Sequence, residues 1–262
     1  MLKREMKINF KNFLIWLSIM LGLLLIVFLI YPSIANSENI KLMDEMIKIF
    51  PEEVIKMFNM DIASMDTVFG WLKSEGFVFI LLIIGCYSAI LGSTILSKEE
   101  TDKTIEYLNS LPVKRSAIVI NKVLTGIFYV IMMVICIGIF NYIGLELSGS
   151  FDRKQFILLS ITPIFSSIPL FFMCMLISAL VKSKKVLGLG LGITLVSYVL
   201  QTLSGLSESV EFLKYTSVFT LSDIRKVIID SSINPVMVIV SIILSIIFLI
   251  LSIYRYNKKE FI

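Results

Sequence analysis

Residues 97–122 read SKEETDKTIEYLNSLPVKRSAIVINK and separate two strongly apolar runs. How this stretch is read decides the fold. Thr101, Ile105, Leu108 and Leu111 recur at helical spacing, with Asp102, Lys103, Glu106 and Asn109 on the other face. Pro112 stops the pattern, because proline has no N–H to donate and disfavours a helical residue before it. The expectation is a short amphipathic helix, a sharp stop, and a basic re-entry through Lys114, Arg115 and Lys122 into the next apolar run. A charged helix face is often no more than a solvated one, so a plain connecting loop is the competing reading.

The order of residues within the stretch carries more. Glu99-Glu100, then Lys103-Thr104-Ile105-Glu106-Tyr107-Leu108, then Ser110-Leu111-Pro112-Val113-Lys114-Arg115-Ser116 resembles the cytoplasmic coupling segment of ABC transporter permeases of the type-2 (ABC-2) exporter superfamily. There an acidic start leads into a small-Thr-Leu-Glu-x-Leu helix, followed by a Leu-Pro-Val-x-Arg turn. Lys103 departs from that pattern, standing where a glycine is frequent. The motif covers about 18 residues, and the layout of spans extends the resemblance over nearly the whole chain.

Composition sets the class. Of 262 residues, 57% are apolar, and the mean hydropathy is +0.91, well above a soluble domain. Six runs approach the roughly 20 residues that cross a bilayer as helix: about 13–31, 77–96, 123–145, 156–181, 186–206 and 235–254. The expected fold is an all-α integral membrane protein. It has six transmembrane helices, an N-terminal interfacial helix, a cytoplasmic coupling helix and amphipathic extracytoplasmic helices, in one permease domain over 1–262. Lys3, Arg4, Lys7 and Lys11 oppose Leu2, Met6, Phe10 and Phe13 at the start, as in a helix lying at the interface. The run from Phe13 to Tyr31 is too long for the apolar part of a cleaved signal, and Tyr31-Pro32 is no cleavage site.

Two further hydrophilic segments, 32–76 and 207–234, read as extracytoplasmic. In the first, Met43, Met46, Ile47 and Phe50 keep helical spacing, and Pro51-Glu52-Glu53 is a good helix start. In the second, Val218, Leu221, Ile224 and Ile228 form an apolar stripe. Pro163 and Pro169 are expected to kink the fourth span. Gly188, Gly190 and Gly192 suit close helix approach better than a phosphate loop, since no Gly-Lys-Ser/Thr follows.

Six spans place both termini on one side. With 97–122 and 182–185, that side holds fifteen of the 24 basic residues and six of the 20 acidic ones. The positive-inside rule therefore expects both termini and the 97–122 segment in the cytoplasm, as a multi-pass protein of the plasma membrane.

Several chemistries are excluded. The chain has no histidine, which removes histidine-based metal sites and His-dependent nucleophiles. A Glu-Glu membrane metalloprotease would need histidines as well. Cys86, Cys136 and Cys174 all lie in apolar runs and read as packing residues. No G-x-x-x-x-G-K-[ST] loop occurs, so ATP hydrolysis by that chemistry belongs to another chain. The six expected span cores contain no Asp, Glu, Lys, Arg or His, which disfavours a proton- or sodium-coupled carrier. A neutral carrier, or a membrane scaffold or sensor partnered with an ATPase, stays open.

The resemblance implies a permease subunit of an ATP-driven exporter. A separate ABC-type ATPase, holding ATP and Mg, would dock on 97–116, with no cofactor on this chain and no nucleic acid as partner. Ile105, Leu108 and Leu111 would seat in an apolar groove, and Glu99, Glu100, Glu106, Lys114 and Arg115 would form its charged rim. Lys103, Thr104 and Pro112 complete the expected coupling interface. A second permease chain, identical or homologous, would complete the assembly. The polar residues within the spans (Ser88, Asn141, Ser166, Thr194, Gln201 among them) are neutral and scattered. They read as helix–helix hydrogen bonds rather than ligands. A pathway of that kind suits an amphipathic or lipophilic cargo such as a peptide antibiotic, a drug or a lipid.

Overall fold

A computed structural model describes residues 1–34, 49, 67–102, 104–105, 115–181, 183–206 and 208–259. The helices expected within 35–66 and most of the 97–112 helix lie outside the described residues. Every regular element described is helical: α1 (Leu2–Ile34), α2 (Val68–Trp71), a π-turn (Leu72–Gly76), α3 (Phe77–Thr101), α4 (Arg115–Ser148), α5 (Arg153–Ile161), α6 (Ile164–Leu180), α7 (Ser183–Leu203), two 3₁₀ turns (Glu208–Thr216 and Val218–Ser222), α8 (Ile224–Asp230) and α9 (Pro235–Lys258). Among the described residues six crossings are long and apolar enough to span a membrane, with α5 and α6 together forming the fourth.

The expected interfacial segment and first span form a single helix. Nothing between Leu2 and Gly22 breaks it, since neither proline nor glycine occurs there. The third span likewise begins earlier than its apolar run suggests: α4 starts at Arg115 and carries Lys122 inside it.

α3 is the axis of the bundle. Of its apolar window 61% is buried, against 17% for α1 and for α9. It packs along α6 and α7, α9 lies on α6, and α4 carries α1 on its flank. The closest approach is between α3 and α6. A Cβ built on Gly92 would stand 2.2 Å from the carbonyl oxygen of Phe171, so only glycine lets the two backbones meet here. The fully buried Phe171 ring then fills the space over Gly126 of α4, so that three helices meet at one residue. Of the three glycines at the start of α7, only Gly190 faces a neighbour, Ser93 on α3; Gly188 and Gly192 face open space.

The two prolines of the fourth crossing act differently. Pro163 sits in the turn that separates α5 from α6, whereas Pro169 remains inside α6. A proline at 169 leaves the carbonyl of Phe165, four residues back, without its helical donor. The Ser241 hydroxyl of α9 donates to that carbonyl at 2.7 Å. The carbonyl left open by the proline is thus satisfied by a neighbouring helix.

The stripe over 218–228 is seated in the end of the bundle. Phe219 is fully buried against α3 and meets Tyr198 edge-on at 5.6 Å. Ser222 donates to Thr162 O at 2.7 Å, and its Oγ lies in hydrogen-bond contact with Ser166 Oγ at 2.8 Å. Asp223 caps α8 and Asn234 caps α9, whose first residue is Pro235.

Candidate coupling site

At the end of the bundle that holds both termini, three helices meet on one lysine. Lys122, two turns into α4, is 1% exposed and has apolar neighbours Val119 and Val123 along its own helix. An ammonium so placed must find acceptors for its three donors. It donates to Glu99 Oε1 of α3 at 2.5 Å, to Ile95 O of α3 at 2.7 Å and to Glu5 Oε2 of α1 at 3.3 Å. Both carboxylates are nearly as buried as the lysine. Glu5 belongs to the first turn of α1, where a negative charge also meets the positive end of the helix dipole. Tyr129, two turns along α4 from Lys122, donates its hydroxyl to Met6 O at 2.6 Å, which fixes the same end of α1.

The next residue of α3 turns the other way. Glu100 Oε1 lies 2.6 Å from Lys259 Nζ, just beyond α9, and this pair is partly exposed. Lys259 Nζ also donates to Ser178 O of α6 at 3.2 Å. Arg115, the first residue of α4, donates to the carbonyls of Lys259 at 3.1 Å and Asn257 at 3.4 Å. Tyr256, 1% exposed, lies within electrostatic reach of Glu99, Glu100 and Arg115. The last turn of α3 therefore ties α1 and α4 through Glu99 and ties α6 and α9 through Glu100.

The residues expected to form the coupling interface fall into three groups. Lys103, Glu106, Leu108, Leu111, Pro112 and Lys114 lie outside the described residues. Thr104 and Ile105 lie three and four residues past the end of α3, half-buried, with Thr104 N donating to Glu99 O at 2.8 Å. Glu99, Glu100 and Arg115 are brought together, but differently from a solvated rim. Glu99 is withdrawn from the surface by Lys122, and Glu100 and Arg115 are engaged with α9. The residues that a reading of this stretch alone does not supply are Glu5, Tyr256 and Lys259. Lys122 carries a visible signal: a lysine directly before Val123 and one helical turn after Val119, inside what proves to be helix. The span cores are free of Asp, Glu, Lys, Arg and His as read from the sequence, yet several of the helices that carry them end in this buried cluster.

Six crossings, five of them tied at one end by a charged cluster, define a multi-pass membrane protein. No curated protein and no solved structure matches the chain. The family model described as ABC-2 family transporter protein matches residues 2–261, and the chain belongs to that family. It is accordingly a permease component of an ABC transporter, a membrane transport part rather than an enzyme in itself.

Proposed function

We propose that this chain is the transmembrane subunit of an ATP-driven exporter whose ATPase is a separate chain docked on the 97–116 region. The observation that carries this reading is the division of labour at Glu99 and Glu100. The segment following α3 is reached through a helix end whose adjacent carboxylates grip α1 with α4, and α9 with α6. A push on the segment from an ATPase closing around ATP and Mg is delivered to four other helices at once. Ile105, Leu108 and Leu111 seat in an apolar groove of the ATPase, and Lys103, Glu106, Pro112 and Lys114 surround them. Glu99, Glu100 and Arg115 transmit the displacement from within.

Replacing Leu108 by aspartate places a charge in that groove and is expected to abolish assembly with the ATPase while leaving membrane insertion intact. Tagged purification from native membranes in mild detergent, with an assay of ATP hydrolysis, measures this. Undiminished recovery of a stoichiometric ATPase with the variant would refute the docking assignment.

The ATPase must meet this segment in the cytoplasm, together with both termini. On a background lacking Cys86, Cys136 and Cys174, a cysteine at Lys3 should react with an impermeant maleimide only after the membrane is opened from inside. A cysteine at Ser150 should react in intact cells. The reverse pattern would invert the proposed topology. A second permease chain, identical or homologous, completes the assembly, and an amphipathic or lipophilic cargo such as a peptide antibiotic, a drug or a lipid suits the neutral walls of the spans.

A further inference from the structure

α1 begins with two opposed faces. Glu5, Asn9 and Phe13 are buried, Glu5 against Lys122 and Asn9 donating to Glu5 O at 2.9 Å. This seating fixes the rotation of the helix about its axis. Lys3, Lys7 and Lys11, spaced by four, therefore stand together on the far side, and all three are exposed. Among the described residues no hydrogen bond or ion pair engages their ammonium groups. Glu5, the only acid in α1, is turned the other way. The same side continues without a break into the apolar part of the helix. Leu14, Ser18, Gly22, Leu25 and Leu29 follow at spacings of three and four, all exposed, with open space over Gly22.

Depth then sorts the three lysines. α1 has 33 residues, about 50 Å of helix, against about 30 Å of hydrocarbon in a bilayer. With the apolar run that starts at Phe13 filling the core, Lys11 stands at its edge. Lys7 lies about 6 Å further out along the axis and Lys3 about 12 Å. The headgroup layer is about 5–8 Å thick on each side, so Lys11 and Lys7 are at phosphate depth and Lys3 is above it. Cations at a helix start oppose the helix dipole, so the stability of α1 does not account for them. The positive-inside rule accounts for their sign but is indifferent to their alignment above a lipid-facing stripe.

We propose that the outward face of α1 holds an anionic phospholipid, its phosphate on Lys11 and Lys7 and one chain along Leu14, Ser18 and Leu25. The long lysine stems bend toward the phosphate, and Lys3 adds only the longer-range attraction that fades within a Debye length. A second copy of the chain is a poor occupant of this face, because two such stripes would set ammonium groups against one another at equal depth. A soluble acidic partner would engage Lys3 first, as the outermost of the three. The proposal is independent of the export reading and of ATPase docking.

The test uses the full chain, purified in a neutral detergent without any ATPase, so that its failure leaves the coupling assignment untouched. The probes are dioleoylphosphatidylglycerol and its zwitterionic phosphatidylcholine counterpart, titrated separately, with retained lipid read by native mass spectrometry. The anionic lipid should be retained in preference to the zwitterionic one. Lys11→Gln and Lys7→Gln should each weaken retention about fivefold, and Lys3→Gln less than about twofold, a gradient set by depth. Lys258→Gln, exposed at the same end of the bundle, should leave it unchanged. Ser18→Trp alters no charge and should weaken retention by obstructing the chain. Phosphatidylglycerol with a diazirine in one chain should give adducts on residues 14–29. Equal losses from Lys258→Gln and Lys11→Gln would reduce the effect to bulk charge and overturn the site. A larger loss from Lys3→Gln than from Lys11→Gln would overturn it in favour of a soluble acidic partner. Disulfide linkage of two Ser18→Cys chains, on a background lacking Cys86, Cys136 and Cys174, would do so in favour of a second copy.

Discussion

Lys122→Met should cost the folded protein roughly 3–5 kcal/mol, the range for removing one partner of a buried ion pair. The methionine fills much of the same space, so lost packing is the smaller part. The larger part is electrostatic: Glu5 and Glu99 would face one another across α1 and α3, both buried, with no cation between them. Unfolding of the purified protein in mild detergent measures the loss. Adding Glu99→Gln to Lys122→Met should recover part of it, because one of the stranded charges is then gone. The exposed Lys258→Met serves as a control and should stay within about 0.5 kcal/mol of the parent. An unfolding midpoint that Lys122→Met leaves unmoved would mean that the two carboxylates are hydrated and the cluster ties nothing.

Gly92→Val is expected to do comparable or greater damage by a different route. Its Cβ would lie 2.2 Å from Phe171 O and 3.1 Å from Cys174 Cβ. The first of these is backbone and cannot swing aside, so α3 and α6 must separate. Overpacking of a fitted interior costs about 1–3 kcal/mol and more where the obstacle is rigid. These are the two helices around which the rest is packed, so the expected outcome is a protein that inserts but does not yield a monodisperse species on gel filtration. Gly188→Ala is the matched contrast. It faces open space on an exposed helix and should be neutral or stabilising by about 0.5–1 kcal/mol, since alanine has less chain entropy to lose. Normal behaviour of Gly92→Val would refute the close contact of α3 with α6.

The crossings were legible because twenty-odd apolar residues in a row admit few other readings, and the family was legible in the order of residues from Glu99 to Ser116. Their boundaries were not. Charged residues at a helix end look the same in sequence whether they lie in water or are folded inward, so Lys122 reads as the edge of a span. Its burial depends on Glu5, 117 positions away, and no local pattern encodes that distance. The role of Ser241 was hidden for the same reason: only the neighbouring helix shows which carbonyl Pro169 has left open. The stripe over 218–228 was legible as apolar, but periodicity alone does not say whether such a stripe rests on a membrane surface or is drawn into a protein cleft. The buried Phe219 and the Ser222 bonds to Thr162 and Ser166 decide for the cleft.

Ser241 holds α9 to α6 at Phe165, and Lys259 holds it again at Ser178. Thirteen residues of helix separate the two points on α6, about 20 Å at 1.5 Å per residue. Two rods pinned at one point can scissor; pinned at two, they behave as a plate. The proline that weakens α6 therefore does not hinge it independently, because the bond that mends the gap is anchored on its companion. On the proposed coupling, a displacement of Glu100 would pass through Lys259 and turn α6 and α9 together, and the opposite rim of that plate carries Thr162 and Ser166, on which the 218–222 turn rests.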